Sequence, residues 1–441
     1  MARKRYAQVG VGGRSKMYTK AICEEYSETC EIVALCDTNK GRMELKNRDI
    51  AEMGQQPVPM YDAADFDRMV AETKPDYIIV TTVDATHHEY LIRGMELGCD
   101  VITEKPMTTD EKKCQEILRT VDKTGRNCQV TFNYRYAPHR SQVKEILDSG
   151  RIGEILSVDF TWPLDTRHGA DYFRRWHRNR DNSGSLLVHK ATHHFDLVNW
   201  WIADEPEEVF CHGCRTFYVP ATADRLGLTE RTERCTTCPH RDGDCPFVLK
   251  LEESDNLKEM YLDNEDEDGY FRDRCVFGEA IDIWDNMSVS VKYAGGAVMN
   301  YFLHTYSPWE GYQIAFNGSQ GRIEHGSTQF SYISGEQESM APGQIKREGQ
   351  YTTIMPHFKD AKDFESVEIR KSEGGHGGGD PVLLADIFAE NPPADPLHRK
   401  ANQYDGAMSI LVGIAGYHSI DQSKPVRIPD LLDGAPLGQR W

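Results

Sequence analysis

Short, nearly uninterrupted apolar runs punctuate the first 130 residues: Tyr6–Val9, Ile32–Cys36, Tyr77–Thr81, Val101–Thr103 and Cys128–Phe132. Helix-length amphipathic stretches fill the intervals. Runs of this kind read as strands buried on both faces, because every parallel return needs a crossover that covers the sheet. The pattern therefore predicts an N-terminal doubly wound parallel sheet, a Rossmann domain, over residues 1–130. After Tyr134 the rhythm changes. A helical stretch through Val143–Leu147 precedes a strand over Ile152–Trp162, and a loop dense in Arg, His and Asp runs on to Ser185. Further along, Met287–Tyr293, Ala297–His304, Tyr312–Asn317 and Gly321–His325 follow one another across tight connections such as Ala294-Gly295-Gly296, the pattern of an antiparallel sheet. Residues 131–441 thus form a second domain of mixed α/β type, interrupted by a Cys-rich, acid-rich insertion at about 211–275.

Composition narrows the function classes. Hydrophobic residues make up 39% of the 441, and with 36 glycines the apolar share reaches that of folded proteins. The 51 Lys and Arg against 70 Asp and Glu leave a net charge of −19, which argues against a nucleic-acid groove or an anionic membrane partner. No apolar run has the length of a membrane span, and the start from Met1 to Tyr6 enters a strand directly, so a cytoplasmic protein is expected. In that setting the 12 scattered cysteines are expected as reduced thiols, some of them on a metal.

Candidate chemistry sits at strand ends. Gly10, Gly12, Gly13, Arg14 and Ser15 form a glycine-rich turn between the first strand and a helix, where a dinucleotide pyrophosphate meets a helix N-terminus. Asp37 closes the second strand, placed to accept hydrogen bonds from an adenosine ribose and to repel a 2′-phosphate. NAD is accordingly preferred over NADP, with Asn39 and Arg42 close enough to soften the preference, since an arginine there can take the extra phosphate. Thr81 and His87 follow the fourth strand, and Glu104-Lys105-Pro106 the fifth. Trp176 lies in the Arg- and His-rich loop, which is expected to face the cleft and contact the substrate. Cys235 and Cys238 with Cys245 offer three zinc ligands, and Cys275 is taken as the fourth, with His240 as its rival. All-sulfur ligation would make such a zinc structural.

The turn Gly10–Ser15, the Glu104-Lys105-Pro106 segment and Lys190-Ala191-Thr192-His193-His194-Phe195-Asp196 together resemble the Gfo/Idh/MocA family of glucose-fructose oxidoreductase and inositol dehydrogenase. The resemblance implies a Rossmann domain followed by an α/β domain with a large open sheet, and an NAD-dependent oxidation of a secondary hydroxyl on a sugar, glycoside or cyclic polyol. It makes Lys105 the residue that binds the reacting hydroxyl, Glu104 its support and His193 the general base. His189 stands where many members have an aspartate and is carried as a catalytic candidate beside Lys190, a substrate contact. Asn133 and Arg135 match the segment bordering cofactor and substrate, His87 lies near the nicotinamide or caps a helix, and His376 sits in a glycine segment approaching the substrate. A homodimer or homotetramer is the family expectation. The alternative activity is a lyase or glycosidase that recycles NAD through a transient keto-sugar.

Overall fold

The computed structural model describes residues 2–329, 349–357, 363–370 and 375–440, the side chains of residues 375 and 376 excepted. Six strands open the chain: β1 (Lys4–Val9), β2 (Cys30–Asp37), β3 (Met60–Asp62), β4 (Tyr77–Val80), β5 (Asp100–Thr103) and β6 (Cys128–Val130). They lie parallel in the order β3-β2-β1-β4-β5-β6. This is the doubly wound order, which reverses direction between β1 and β4 and leaves a crevice at their carboxyl ends. Neighbouring residues such as Tyr6 and Ala7, or Ile78 and Ile79, are all buried, as two helix-covered faces require.

The second sheet is built from β7 (Ile155–Asp165), β8 (Pro206–Cys214), β9 (Asn286–Tyr293), β10 (Val298–Ser307), β11 (Glu310–Gly318), β12 (Gly321–Gln329), β13 (Gln350–Pro356) and β14 (Glu365–Ser366). Two short late strands remain. Of these, β15 (Ala401–Asn402) joins the first sheet and β16 (Val426–Arg427) the second. The nine-stranded order is β14-β13-β12-β11-β7-β10-β9-β8-β16, antiparallel except where β10 runs beside β7. Along β9 the residues Met287, Val289, Val291 and Tyr293 point into the core and their neighbours do not, the alternation of a sheet covered on one face. Helices Thr192–Ile202 and Gln403–Gln422 supply that cover. The second is started by a capping box in which Asn402 and Asp405 satisfy each other's backbone N–H groups. Val298 and Phe302 stand exposed on the open face.

Three boundaries differ from those expected. Cys211 and Cys214 belong to β8 and pair with Val289 and Asn286, so the insertion begins after Cys214 and returns at β9. Pairing of β15 with β6 brings residues far beyond 130 into the first sheet. The strand expected over Ile152–Trp162 is displaced to Ile155–Asp165. Two-residue strands such as β14, β15 and β16 carry too few residues for any periodicity, and they exist because a partner edge is there to pair with.

Candidate active site

The glycine-rich turn leaves β1 with Gly10 at a φ of 81°. A Cβ at Gly10 would lie 2.7 Å from the backbone of Thr81 and Thr82. Thr81 fastens the same turn by donating its hydroxyl to the Gly10 carbonyl at 2.5 Å. At Gly12 a Cβ would meet nothing within 4 Å, the free space that a pyrophosphate approaching the backbone needs. Gly13 and Arg14 follow, and Ser15 begins the helix Ser15–Lys20 with its N–H and hydroxyl both directed to the Gly12 carbonyl. Asp37, at the end of β2, accepts from the Val11 N–H at 2.6 Å and the Asn39 N–H at 2.9 Å. The donor set thus fits a dinucleotide, with a cradle at Gly10–Ser15 and a carboxylate at the ribose position. Gly10→Ala is expected to cost about 1–3 kcal/mol through overlap and left-handed strain. Thermal denaturation and nucleotide titration of the variant check both the stability and the cradle.

A cavity of about 410 Å³ opens at the carboxyl ends of β4 and β5 and is closed on its far side by the second domain. Glu104, on its floor, accepts from Arg14 Nε and from the Tyr18 hydroxyl, each at 2.7 Å. Burial alone would raise this carboxyl, but Arg14 and Tyr18 hold it below its ordinary value. Next to it, Lys105 Nζ donates to the His189 carbonyl at 2.9 Å. Burial pushes the Lys105 ammonium down to about 8 against the attraction of Asp84. Asp84 in turn lies 2.5 Å from His189 Nδ1. Burial drives the Asp84 carboxyl well above its ordinary range, while burial and the cations Lys105, Arg175 and Lys190 drive the His189 imidazole well below. The pair is therefore held toward its neutral form, with His189 supplied with a carboxyl partner from the turn after β4 rather than from its own helix.

His193 lines the same cavity from the helix Thr192–Ile202, and its ring lies flat on Tyr134 with centroids 3.9 Å apart. Lys190 reaches the Tyr134 hydroxyl at 3.4 Å and is kept protonated, despite burial, by Tyr134, Tyr172 and Glu310. Trp176 is on the cavity wall, stacked on His177 at 3.6 Å. Asn133 is there too, donating to Asp380 at 2.7 Å. Sequence reasoning missed Asp84, Tyr134, and the buried His168–Glu310 pair at 2.8 Å, whose other ring nitrogen contacts Tyr172. Asp84 lies between Thr81 and His87 just past the fourth strand, so its place at a carboxyl edge was the available signal. Nothing local marks Glu310, which comes from a strand more than a hundred residues away.

Several assignments are corrected. Arg135 is no substrate contact: it has no exposed surface and is spent on Asp196 at 2.5 and 2.9 Å and on Asp405 at 2.9 Å, binding three elements together behind the cavity. His87 does not cap its helix, since it is the first helical residue and its ring lies between the carbonyls of Pro106 at 2.9 Å and Thr82 at 3.2 Å. It braces the two strand-end loops that carry the cavity floor. His376 falls in the helix Gly375–Phe388, but its side chain lies outside the described residues. Cys235, Cys238, Cys245 and Cys275 do line one small pocket with Phe247 and Phe277. Yet among the described residues no group of three or more His, Cys, Asp and Glu is disposed to hold a metal ion, and the zinc expectation is not supported. Burial, with a contribution from the neighbouring thiols, raises the Cys245 and Cys275 thiols above their ordinary value.

Residues 4–132 match the oxidoreductase family's NAD-binding Rossmann fold, and residues 144–428 match its C-terminal alpha/beta domain. The chain belongs to the Gfo/Idh/MocA oxidoreductase family. Within the family, the oxidoreductase YteT of Bacillus subtilis (strain 168) is 36% identical over 431 residues, 96% of this chain and 97% of that protein. A glycosyl hydrolase family 109 protein of Akkermansia muciniphila is 24% identical over 98% of this chain and 84% of its own length. Among solved structures, the WlbA dehydrogenase of Chromobacterium violaceum, in complex with NADH and UDP-GlcNAcA, superposes with a TM-score of 0.64 at 18% identity. That match covers 97% of this chain and 96% of the other. The match to the family's NAD-binding Rossmann fold makes a nicotinamide dinucleotide the cofactor of this domain. No helix among the described residues is long and apolar enough to cross a membrane.

Proposed function

We propose that the protein oxidises a secondary hydroxyl of a sugar, glycoside or cyclic polyol with NAD. The observation that carries this reading is Lys105: a lysine drawn down to about 8 on the floor of a cavity, at the sheet edge where the nicotinamide of a Rossmann domain reaches. A bound nicotinamide supplies the hydride acceptor. Lys105 holds the substrate hydroxyl oxygen, and His193, its ring fixed on Tyr134, takes the hydroxyl proton as the carbon–oxygen double bond forms. The Asp84–His189 pair stands beside Lys105 as a second proton station. Glu104, held ionised by Arg14, steadies the adjacent lysine without taking its proton. Trp176 and Tyr172 give apolar faces on which a sugar ring can stack, and Lys190 and the His168–Glu310 pair give its hydroxyls donors and acceptors.

A second reading is favoured by the end-to-end likeness to the family 109 glycosyl hydrolase. On this reading the same oxidation is transient, a neighbouring bond is broken in the keto form, and the hydride returns. One experiment separates the two. Purified protein is incubated with NAD and a panel of free sugars, methyl glycosides and inositols, and both NADH and products are followed. Stoichiometric NADH and ketone are expected from the dehydrogenase. Glycoside cleavage without net NADH would replace it with the second reading, and no conversion of any member would overturn both. Association into a homodimer or homotetramer through the open sheet face around Val298 and Phe302 belongs to the same proposal, and native mass measurement tests it.

A further inference from the structure

The acid-rich part of the insertion folds back onto the loop and helix that follow β2 in the nucleotide-binding domain. There the Asn39 side chain donates to the Asn264 carbonyl at 2.8 Å, and the Lys40 N–H donates to Glu267 at 2.8 Å. The approach is so close that a Cβ on Gly41 would overlap the Asn264 side chain at 1.8 Å. Arg42 is the centre of the contact. Its Nε donates to the Met260 carbonyl at 2.9 Å, its Nη1 to Asp268 at 2.5 Å and its Nη2 to the other Asp268 oxygen at 3.5 Å. Tyr261 and Tyr270 enclose the guanidinium, with ring centroids at 5.5 and 5.7 Å. Only 8% of Arg42 remains exposed.

This position has a chemical meaning in a dinucleotide-binding fold. The carboxylate closing β2 faces the adenosine ribose, and an arginine just beyond it is the group that takes the 2′-phosphate of NADP. Arg42 is the arginine so placed, and both it and Asp268 act electrostatically on Asp37. Instead of pointing a free fork at the ribose, Arg42 is neutralised from behind, and the insertion adds the carboxylates of Glu267 and Asp268 to that of Asp37. A 2′-phosphate arriving there meets anions and a cation already spent. We propose that Asp268 is a specificity-determining residue: by sequestering Arg42, the insertion makes the adenosine end of the site accept a free 2′-hydroxyl and reject a 2′-phosphate. The same segment runs on to Arg272, which pairs with the cavity residue Asp171 at 2.6 Å, so one strap ties the adenosine end to the substrate end.

The inference rests on nicotinamide dinucleotide binding and is tested by binding itself. NAD and NADP are titrated into the full chain by calorimetry for the wild type, Asp268→Asn, Arg42→Gln and the double variant. The wild type is expected to bind NAD more tightly than NADP. In Asp268→Asn the discrimination should fall about tenfold, the scale of one charge-assisted contact regained. The double variant should restore it, because the gain depends on Arg42. Arg42→Gln alone should leave the NAD-to-NADP ratio where it is, and this arm needs no disturbance of the acidic side. A folded Asp268→Asn protein with the wild-type ratio would overturn the proposal. So would a loss of NADP affinity in Arg42→Gln, or a wild type that prefers NADP. Absence of binding to either nucleotide would be a different failure, that of the cofactor reading, and would remove the proposal with it.

Discussion

Lys105→Met is expected to abolish turnover, by about a thousandfold or more, while nucleotide binding persists. The side chain sits at the floor of the cavity with its Nζ held by the His189 carbonyl, whereas the cradle at Gly10–Ser15 and the ribose carboxylate Asp37 lie elsewhere on the sheet edge. Loss of a positioned proton-handling group accounts for about two to four orders of magnitude in rate, and loss of the hydroxyl contact adds to it. The wild-type kcat/KM should fall as pH rises through about 8, because the ammonium is the stronger donor to the hydroxyl oxygen that Lys105 holds. Stability offers a readout independent of activity. A lysine lowered in the folded state and normal in the unfolded state destabilises the fold at low pH. Between about 8 and the ordinary lysine value the unfolded chain binds the extra proton, so stability rises with pH across that window. The methionine variant carries no such penalty, so its melting temperature near neutral pH should be no lower than that of the wild type. A variant that turns over at the wild-type rate would remove the role assigned to Lys105.

Arg135→Met is expected to produce the largest loss of stability of any single change considered, about 3–5 kcal/mol. Methionine keeps much of the volume but leaves Asp196 and Asp405, each 1% exposed, with only the more distant Arg440, 3.8 Å from Asp405, to answer their charge. The guanidinium joins the turn Asn133–Tyr136 to the helices Thr192–Ile202 and Gln403–Gln422, so its loss loosens the wall from which His193 projects. Urea denaturation measures the effect. Neutralising the carboxylates at the same time, in Arg135→Met with Asp196→Asn and Asp405→Asn, should recover part of it, because most of the cost is the unpaired buried charge. A single variant as stable as the wild type would show that the triad is dispensable.

The Rossmann half was legible because its strands are local objects. Ile78, Ile79 and Val80 are apolar in succession because both faces of β4 are covered, and that requirement is written into consecutive positions. The turn at Gly10 was legible for a similar reason, since a left-handed residue pressed against another strand leaves few choices but glycine. Lys105 and His193 could be singled out through the motifs around them, and the structure brings both to one cavity. Arg135 shows the limit of that route. A motif can place an arginine near a site, but only the arrival of Asp405 from a distant helix decides that its charge is consumed in the core.

The sequence by itself determined the parallel strands of the first sheet, the nucleotide cradle and the identity of the lysine at its edge, because each depends on residues close together along the chain. Tertiary structure alone decided which charges answer one another. His189 received Asp84 from another domain, His168 received Glu310 from a distant strand, and Arg42 received Asp268 from the insertion. Electrostatic pairing acts through a few ångströms of space and is indifferent to distance along the chain, so a partner more than a hundred residues away carries no local pattern to read.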